Sequence, residues 1–103
     1  MNDFSMCPKF EKTFKMLGKK WNGLIIRVLL EGPKRFSEIK VLIPELSDRM
    51  LAERFKELES IDIIQREVYP ETPVRIEYSL THQGSDLKIS MDEIQKWAEK
   101  WVK

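Results

Sequence analysis

A change of hydrophobic period partway along the chain restricts its fold more than any other feature. Up to Ser60 apolar residues recur at helical spacing, from Ile64 to Leu80 they follow the period of 2 typical of strands, and beyond Thr81 helical spacing returns. Such an order surrounds one hairpin with helices, an α+β arrangement that is mainly α. Phe10, Phe14 and Leu17 at i, i+4 and i+7, opened by Pro8 and followed by Gly18, predict a short amphipathic helix with Cys7 at its amino end. A second helix is predicted from about Trp21 to Leu30, with Leu24, Ile25, Val28 and Leu29 as its apolar face and Gly32 and Pro33 beyond its end. Ser37 is placed to cap a third helix carrying Ile39, Leu42 and Ile43 and stopped by Pro44. Ser47 is placed to cap a fourth, in which Leu51, Phe55 and Leu58 face inward as far as Ser60.

Only Pro44, Glu45 and Leu46 separate the third helix from the fourth. Two short capped helices joined this tightly form a helix-turn-helix, in which the second is presented outward by packing on the first. The arms Ile64 to Tyr69 and Val74 to Leu80 are rich in β-branched and aromatic residues, and Pro70, Glu71, Thr72 and Pro73 make a stiff hairpin tip. Val74, Ile76, Tyr78 and Leu80 alternate with Arg75, Glu77 and Ser79, which predicts one buried face and one wet face. Thr81 is placed to cap a closing helix with the stripe Leu87, Met91, Ile94, Ala98 and Trp101. Ser90 and Glu93 form a capping-box pair, which leaves open a division of that segment at Ser90. The order specifies a winged helix-turn-helix, with amino- and carboxy-terminal helices available for dimerisation.

At 103 residues the chain is expected to be one domain spanning 1–103, and a domain of this size gains from hiding apolar area in a dimer. Phe10, Phe14, Ile94, Trp97 and Trp101 are the candidate dimer contacts, since aromatic stripes on terminal helices pack cores or seams. The formal net charge of +1 gives no global field toward nucleic acid or membrane, so such binding has to be local. The first 30 residues are the basic part, with Lys9, Lys12, Lys15, Lys19, Lys20 and Arg27 against Asp3 and Glu11. No apolar run has the length of a membrane span and no leader pattern is present, so no membrane partner and a cytoplasmic location are expected. Cys7 is the one cysteine in the chain, so an intrachain disulfide is impossible.

The major groove of DNA admits one α-helix, and the fourth helix offers it Asp48, Arg49, Ala52, Glu53 and Lys56. Arg49 suits a fork to guanine, Glu53 accepts from cytosine N4, Ala52 meets a thymine methyl, and Lys56 reaches a guanine or a phosphate. The same charges also satisfy ordinary surface pairing along a helix. Affinity then rests on a flanking basic frame of Lys34, Arg35, Lys40, Arg66 and Arg75, with Ser37 and Ser47 bringing helix amino ends to the backbone. Arg75, beside the wing tip, is the candidate for the minor groove or its phosphates, opposed there by Glu71.

Several short runs appear together in a specific order. They are Cys7-Pro8, Gly18-Lys19-Lys20-Trp21, Gly32-Pro33-Lys34-Arg35-Phe36-Ser37-Glu38, Ile43-Pro44, Met50-Leu51, Leu58-Glu59, Arg75-Ile76-Glu77-Tyr78-Ser79-Leu80-Thr81, and Gly84. Over roughly residues 7 to 101 the chain resembles the HxlR-type transcriptional regulators, relatives of the MarR regulators in architecture. The resemblance implies a small dimeric bacterial winged-helix protein that binds promoter DNA as a repressor or activator, commonly in response to electrophiles, oxidants or aldehydes. Two positions depart from the family pattern. Asp62 and Glu45 stand where glycine is common, both at bends.

The resemblance also implies that a thiol-sensing branch uses a cysteine at the position of Cys7, through alkylation or an intersubunit disulfide. Thiolate is the reactive form, favoured at a helix amino terminus and beside cations, and Cys7 precedes Pro8 with Lys9 and Lys12 close by. With no second cysteine the outcomes are a Cys7-to-Cys7 disulfide across a dimer, a mixed disulfide or an adduct with an electrophile or oxidant. The plainer alternative is a small residue packed under the closing helix. His82 has no companion ligand for a metal, and the acid pairs Glu57 with Glu59 and Asp92 with Glu93 have no nucleophile or phosphate loop beside them, so neither an enzyme, a metal site nor a cofactor is expected. The expected function is a sequence-specific, dimeric DNA-binding regulator, more naturally a repressor, with Cys7 as candidate sensor. The alternatives are a winged-helix protein-interaction module, or a regulator answering to a small ligand at the dimer seam.

Overall fold

The computed structural model describes residues 3–103, in the order α1 (Pro8–Leu17), α2 (Asn22–Leu29), α3 (Phe36–Leu42), α4 (Asp48–Ser60), β1 (Ile64–Tyr69), β2 (Arg75–Leu80), α5 (His82–Ser85) and α6 (Lys88–Trp101). The strands pair antiparallel with Ile64 opposite Leu80 and Tyr69 opposite Arg75. Lys34 adds a single antiparallel bridge to Tyr78, with both backbone hydrogen bonds formed, at 2.9 and 2.8 Å. This is the winged helix-turn-helix that the change of period predicts. Its core gathers Ile25, Ile26 and Leu29 from α2, Ile39 from α3, Leu51, Phe55 and Leu58 from α4, and Ile64 at the root of β1. Phe55 stacks on Tyr78 at 3.9 Å between ring centroids and meets Phe36 edge-on at 6.0 Å, which fixes the wing root to α4.

Local chemistry accounts for the helix ends. The Ser47 hydroxyl accepts from the Met50 backbone N–H at 3.1 Å, and the Thr81 hydroxyl accepts from Gly84 N–H at 3.1 Å. The turn of the helix-turn-helix is anchored by Leu46, which is fully buried, and by the Lys40 ammonium donating to the Leu46 carbonyl. Glu45 adopts no left-handed conformation, so the turn closes without the glycine common at that position. Asp62 does adopt one, at φ 65°, a conformation that aspartate tolerates better than most residues. The Thr81 hydroxyl donates to the Asp62 carbonyl at 2.6 Å and holds that bend.

Several expectations are corrected. Ser37 lies inside α3, whose cap is Arg35; the Glu38 carboxylate accepts from the Arg35 backbone N–H at 2.8 Å and so starts the helix two residues earlier. The apolar face of α2 turns on Ile26 rather than Leu24, which is exposed, and Leu42 of α3 is exposed as well. The alternation along β2 does not separate a buried from a wet face, because an ion-paired network covers the polar side and leaves every residue of the strand half-buried. Val74 precedes that strand instead of opening it. The closing segment divides at Asp86 and Leu87, and Ser90 lies within α6.

Candidate functional site

The outward face of α4 follows from its inward one. With Leu51, Phe55 and Leu58 buried, Asp48, Arg49, Ala52, Glu53 and Lys56 are all exposed on the side away from the core. Arg49 is open to solvent except for a 3.4 Å ion pair with Glu53 one turn on, and Asp48 pairs with Lys40 at 3.3 Å. Such exposed pairs are weak, about 0.3–0.5 kcal/mol within a helix, so a stronger partner displaces them easily. Lys56 and, on β1, Arg66 have no carboxylate within ion-pairing distance among the described residues, and neither do Lys34 and Arg35 before and at the start of α3. Ser47 holds the amino end of α4, whereas Ser37 is exposed in the first turn of α3.

Arg75 is placed differently from these cations. Its guanidinium is held by Glu77 at 2.6 Å and by Glu71 at 3.0 and 3.2 Å, and it lies over the Tyr69 ring at 3.8 Å. The hydrogen bonds it donates to Glu71 and then to Glu77 hold Arg75 still more firmly protonated, and the contact with Arg75 holds the Glu71 carboxyl below its ordinary range. Tyr69 donates to Glu67 at 2.6 Å, and that bond raises the phenol above its usual value.

A second network lies on the other side of α4, and no sequence pattern announces it. The Arg54 guanidinium donates to the Lys20 carbonyl at 3.0 Å and to Glu57 at 3.0 Å, and Lys19 donates to the same Glu57 oxygen at 2.9 Å. The Lys19 hydrogen bond pulls the Glu57 carboxyl below its ordinary value against the opposing effect of burial, with the charges of Lys19 and Arg54 adding to it. These bonds tie the turn after α1 to α4. Within that turn Trp21 adopts φ 79°, a left-handed conformation that costs a bulky residue about 1–3 kcal/mol and persists only where neighbours enforce it. Buried Asn22, donating to the Met16 carbonyl at 2.9 Å, enforces it from one side and Arg54 from the other. The i, i+3 spacing of Arg54 and Glu57 was readable, but their reach to Lys19 and Lys20 was not.

At the other end of α1, Cys7 occupies the cap position with extended angles, and its carbonyl accepts from Glu11 N–H at 3.0 Å. The thiol is exposed rather than packed under the closing helix, and it borders an apolar hollow of about 250 Å³ with Phe4, Met6 and Phe10. Phe10, Phe14, Ile94, Trp97 and Trp101 are between 53% and 64% exposed, with the Phe10 and Phe14 rings 4.7 Å apart. Between α1, α2 and α6 lies a cleft of about 510 Å³ lined by Phe14, Leu17, Trp21, Leu24, Met91 and Ile94, with Lys20 and Arg27 also on its walls. His82 is exposed, and no cluster suited to a metal ion occurs among the described residues.

The family model described as HxlR-like helix-turn-helix matches residues 16–103. The chain belongs to the HxlR family. Among curated members it is 55% identical over 97 residues to the transcriptional regulator YodB of Bacillus subtilis, a match covering 94% of this chain and 87% of YodB. Solved structures of YodB in the reduced and quinone-bound forms superpose with TM-scores of 0.85 and 0.80, at 54% and 50% identity. They cover 96% and 93% of this chain and 97% and 100% of theirs. The oxidised redox regulator HypR superposes at 0.86 with 36% identity, covering 94% of this chain and 99% of its own. The expected class, an HxlR-type helix-turn-helix transcriptional regulator with redox-responsive relatives, is thereby borne out. Cys7 lies before the segment matched by the HxlR model.

Proposed function

We propose that residues 1–103 form one domain that acts as a cytoplasmic homodimer, binds double-stranded promoter DNA sequence-specifically, represses nearby genes and carries no enzymatic activity. The observation that carries this reading is the exposed α4 face, Asp48, Arg49, Ala52, Glu53 and Lys56, presented from a helix whose opposite side is buried in the core through Leu51 and Phe55. Ser37, Ser47 and Arg66 supply the backbone contacts that flank it, with Lys34 and Arg35. In the dimer, Phe10, Phe14, Ile94, Trp97 and Trp101 form the seam and set the two reading helices about 34 Å apart, one helical turn of DNA.

Cys7 is the proposed sensor, reacting with an oxidant or a quinone-like electrophile. Its exposure beside an apolar hollow supports this, as does the similarity to regulators solved in quinone-bound and oxidised forms. Modification displaces α1, and the Lys19, Lys20, Arg54 and Glu57 bonds carry the displacement to α4. The cleft beside Trp21 favours one second reading, in which a small ligand at the seam is the signal and Cys7 is a bystander.

The test is titration of duplex DNA from upstream of the protein's own and adjacent genes, with competitor DNA, across salt concentrations. Specific binding that weakens steeply with salt is expected, and Arg49→Ala should lose about 1–3 kcal/mol of discrimination at one base position. Salt-indifferent or undetectable binding would move the chain to the protein-interaction class.

A further inference from the structure

The polar face of the wing is acidic where a DNA-binding wing needs a cation. Period 2 and the strand register place Glu67 opposite Glu77 and Tyr69 opposite Arg75 on one face, and Glu71 at the tip closes over the same guanidinium. Three carboxylates, Glu67, Glu71 and Glu77, share that face with one guanidinium, and three of its five N–H donors go to Glu71 and Glu77 while its plane rests on the Tyr69 ring. The Arg75 side chain is about three-quarters buried by these contacts, at 25% exposure, while that of Glu71 is 53% exposed. A bidentate guanidinium–carboxylate contact has the same geometry as a guanidinium–phosphate one, so a DNA phosphate and Glu71 compete for one fork.

We propose that Glu71 and Glu77 are built-in competitors for the DNA backbone at Arg75, so that the wing withholds its cation from non-specific DNA and releases it only on a site that α4 has already docked. The inference rests on the regulator reading. On random duplex the phosphate gained at Arg75 has to displace both carboxylates and leave them facing the DNA, whereas at the operator the base contacts of α4 hold the wing against the backbone. The two carboxylates thus act on specificity, by lowering affinity for the wrong DNA.

The test compares the wild-type chain with Glu71→Gln, with Glu71→Gln/Glu77→Gln, and with the double variant carrying Arg75→Gln. Binding to a random-sequence duplex and to upstream promoter DNA is measured from low to moderate salt, and circular dichroism reports the fold. The double variant is expected to bind random duplex roughly five- to tenfold more tightly near 0.1 M salt, with a salt slope steeper by about one phosphate, 0.9 in log–log terms. Promoter affinity should rise less, so the specificity ratio falls. Adding Arg75→Gln should abolish the gain, which separates a released arginine from the simple loss of two negative charges. Glu71→Gln alone, at an exposed position, should shift binding the same way and keeps the test decisive if the double variant unfolds. Folded Gln variants with unchanged or weaker random-duplex binding overturn the inference alone. A wild-type chain that binds no duplex at any salt overturns the regulator reading and this inference with it.

Discussion

At Gly84 the start of α5 runs against the residues before β1 so closely that a Cβ would overlap the Ile63 carbonyl oxygen and press on Leu80. Thr81 holds the approach by donating to the Asp62 carbonyl and accepting from Gly84 N–H. Gly84→Ala is therefore expected to destabilise the chain by about 1–3 kcal/mol, the range for overpacking against atoms that cannot retreat, measured as the urea midpoint at constant m. Ser47→Ala should cost about 1 kcal/mol in the same assay through the lost cap of α4. Side chains that act on their own local backbone were legible: Ser47 and Thr81 as caps, Asp62 at its bend. Ser37 looks like a cap because a serine before a helix is a cap signal, yet Glu38 reaches back to Arg35 and moves the start. Trp21 carried no signal at all, since its left-handed angle is imposed by Asn22 and by Arg54, 33 positions away in the chain.

Among the elements, α4 bears the exposed polar face, the core face and the lateral bonds to the α1–α2 turn. The pattern of Leu51, Phe55 and Leu58 gave the first two because period 3.6 sorts residues by side, but no period reports a bond between distant elements. The Glu57 bonds have a pH signature. Its carboxyl lies below the ordinary value in the folded chain, so the unfolded chain takes up the proton first, and the stabilisation is fully present above about pH 4.5 and lost as pH falls through the lowered value. Glu71 and Asp92 are shifted in the same direction by Arg75 and Lys88, so they add to the same acid limb. Glu57→Gln should make the acid loss of stability shallower without abolishing it, checked by urea unfolding between about pH 3 and 7. The wing was legible as a hairpin with Arg75 near its tip, but the closure of Glu71 and Glu77 over that arginine needed the strand register.

Seen whole, the molecule extends 65 × 32 × 24 Å with a radius of gyration of 15.7 Å, against about 13 Å for a compact domain of 100 residues. The excess comes from terminal helices that bury no residue of their own and carry exposed Phe10, Phe14, Ile94, Trp97 and Trp101. So large an exposed aromatic surface is what the proposed pairing with a second copy would cover. In the proposed dimer the wild-type melting temperature should rise with protein concentration, and Trp97→Ala and Trp101→Ala are each expected to weaken association by about 2 kcal/mol or more and to lower that melting temperature, read by sedimentation and calorimetry. The central claim joins this dimer, its reading helices and Cys7. Its most direct test is the binding of purified chain to upstream promoter DNA, reduced and then treated with a quinone, for wild type and Cys7→Ser. Tight, competitor-resistant binding by both reduced proteins, lost on treatment in the wild type alone, is the predicted result. Release of Cys7→Ser as readily as wild type, or no specific binding in any state, would contradict it.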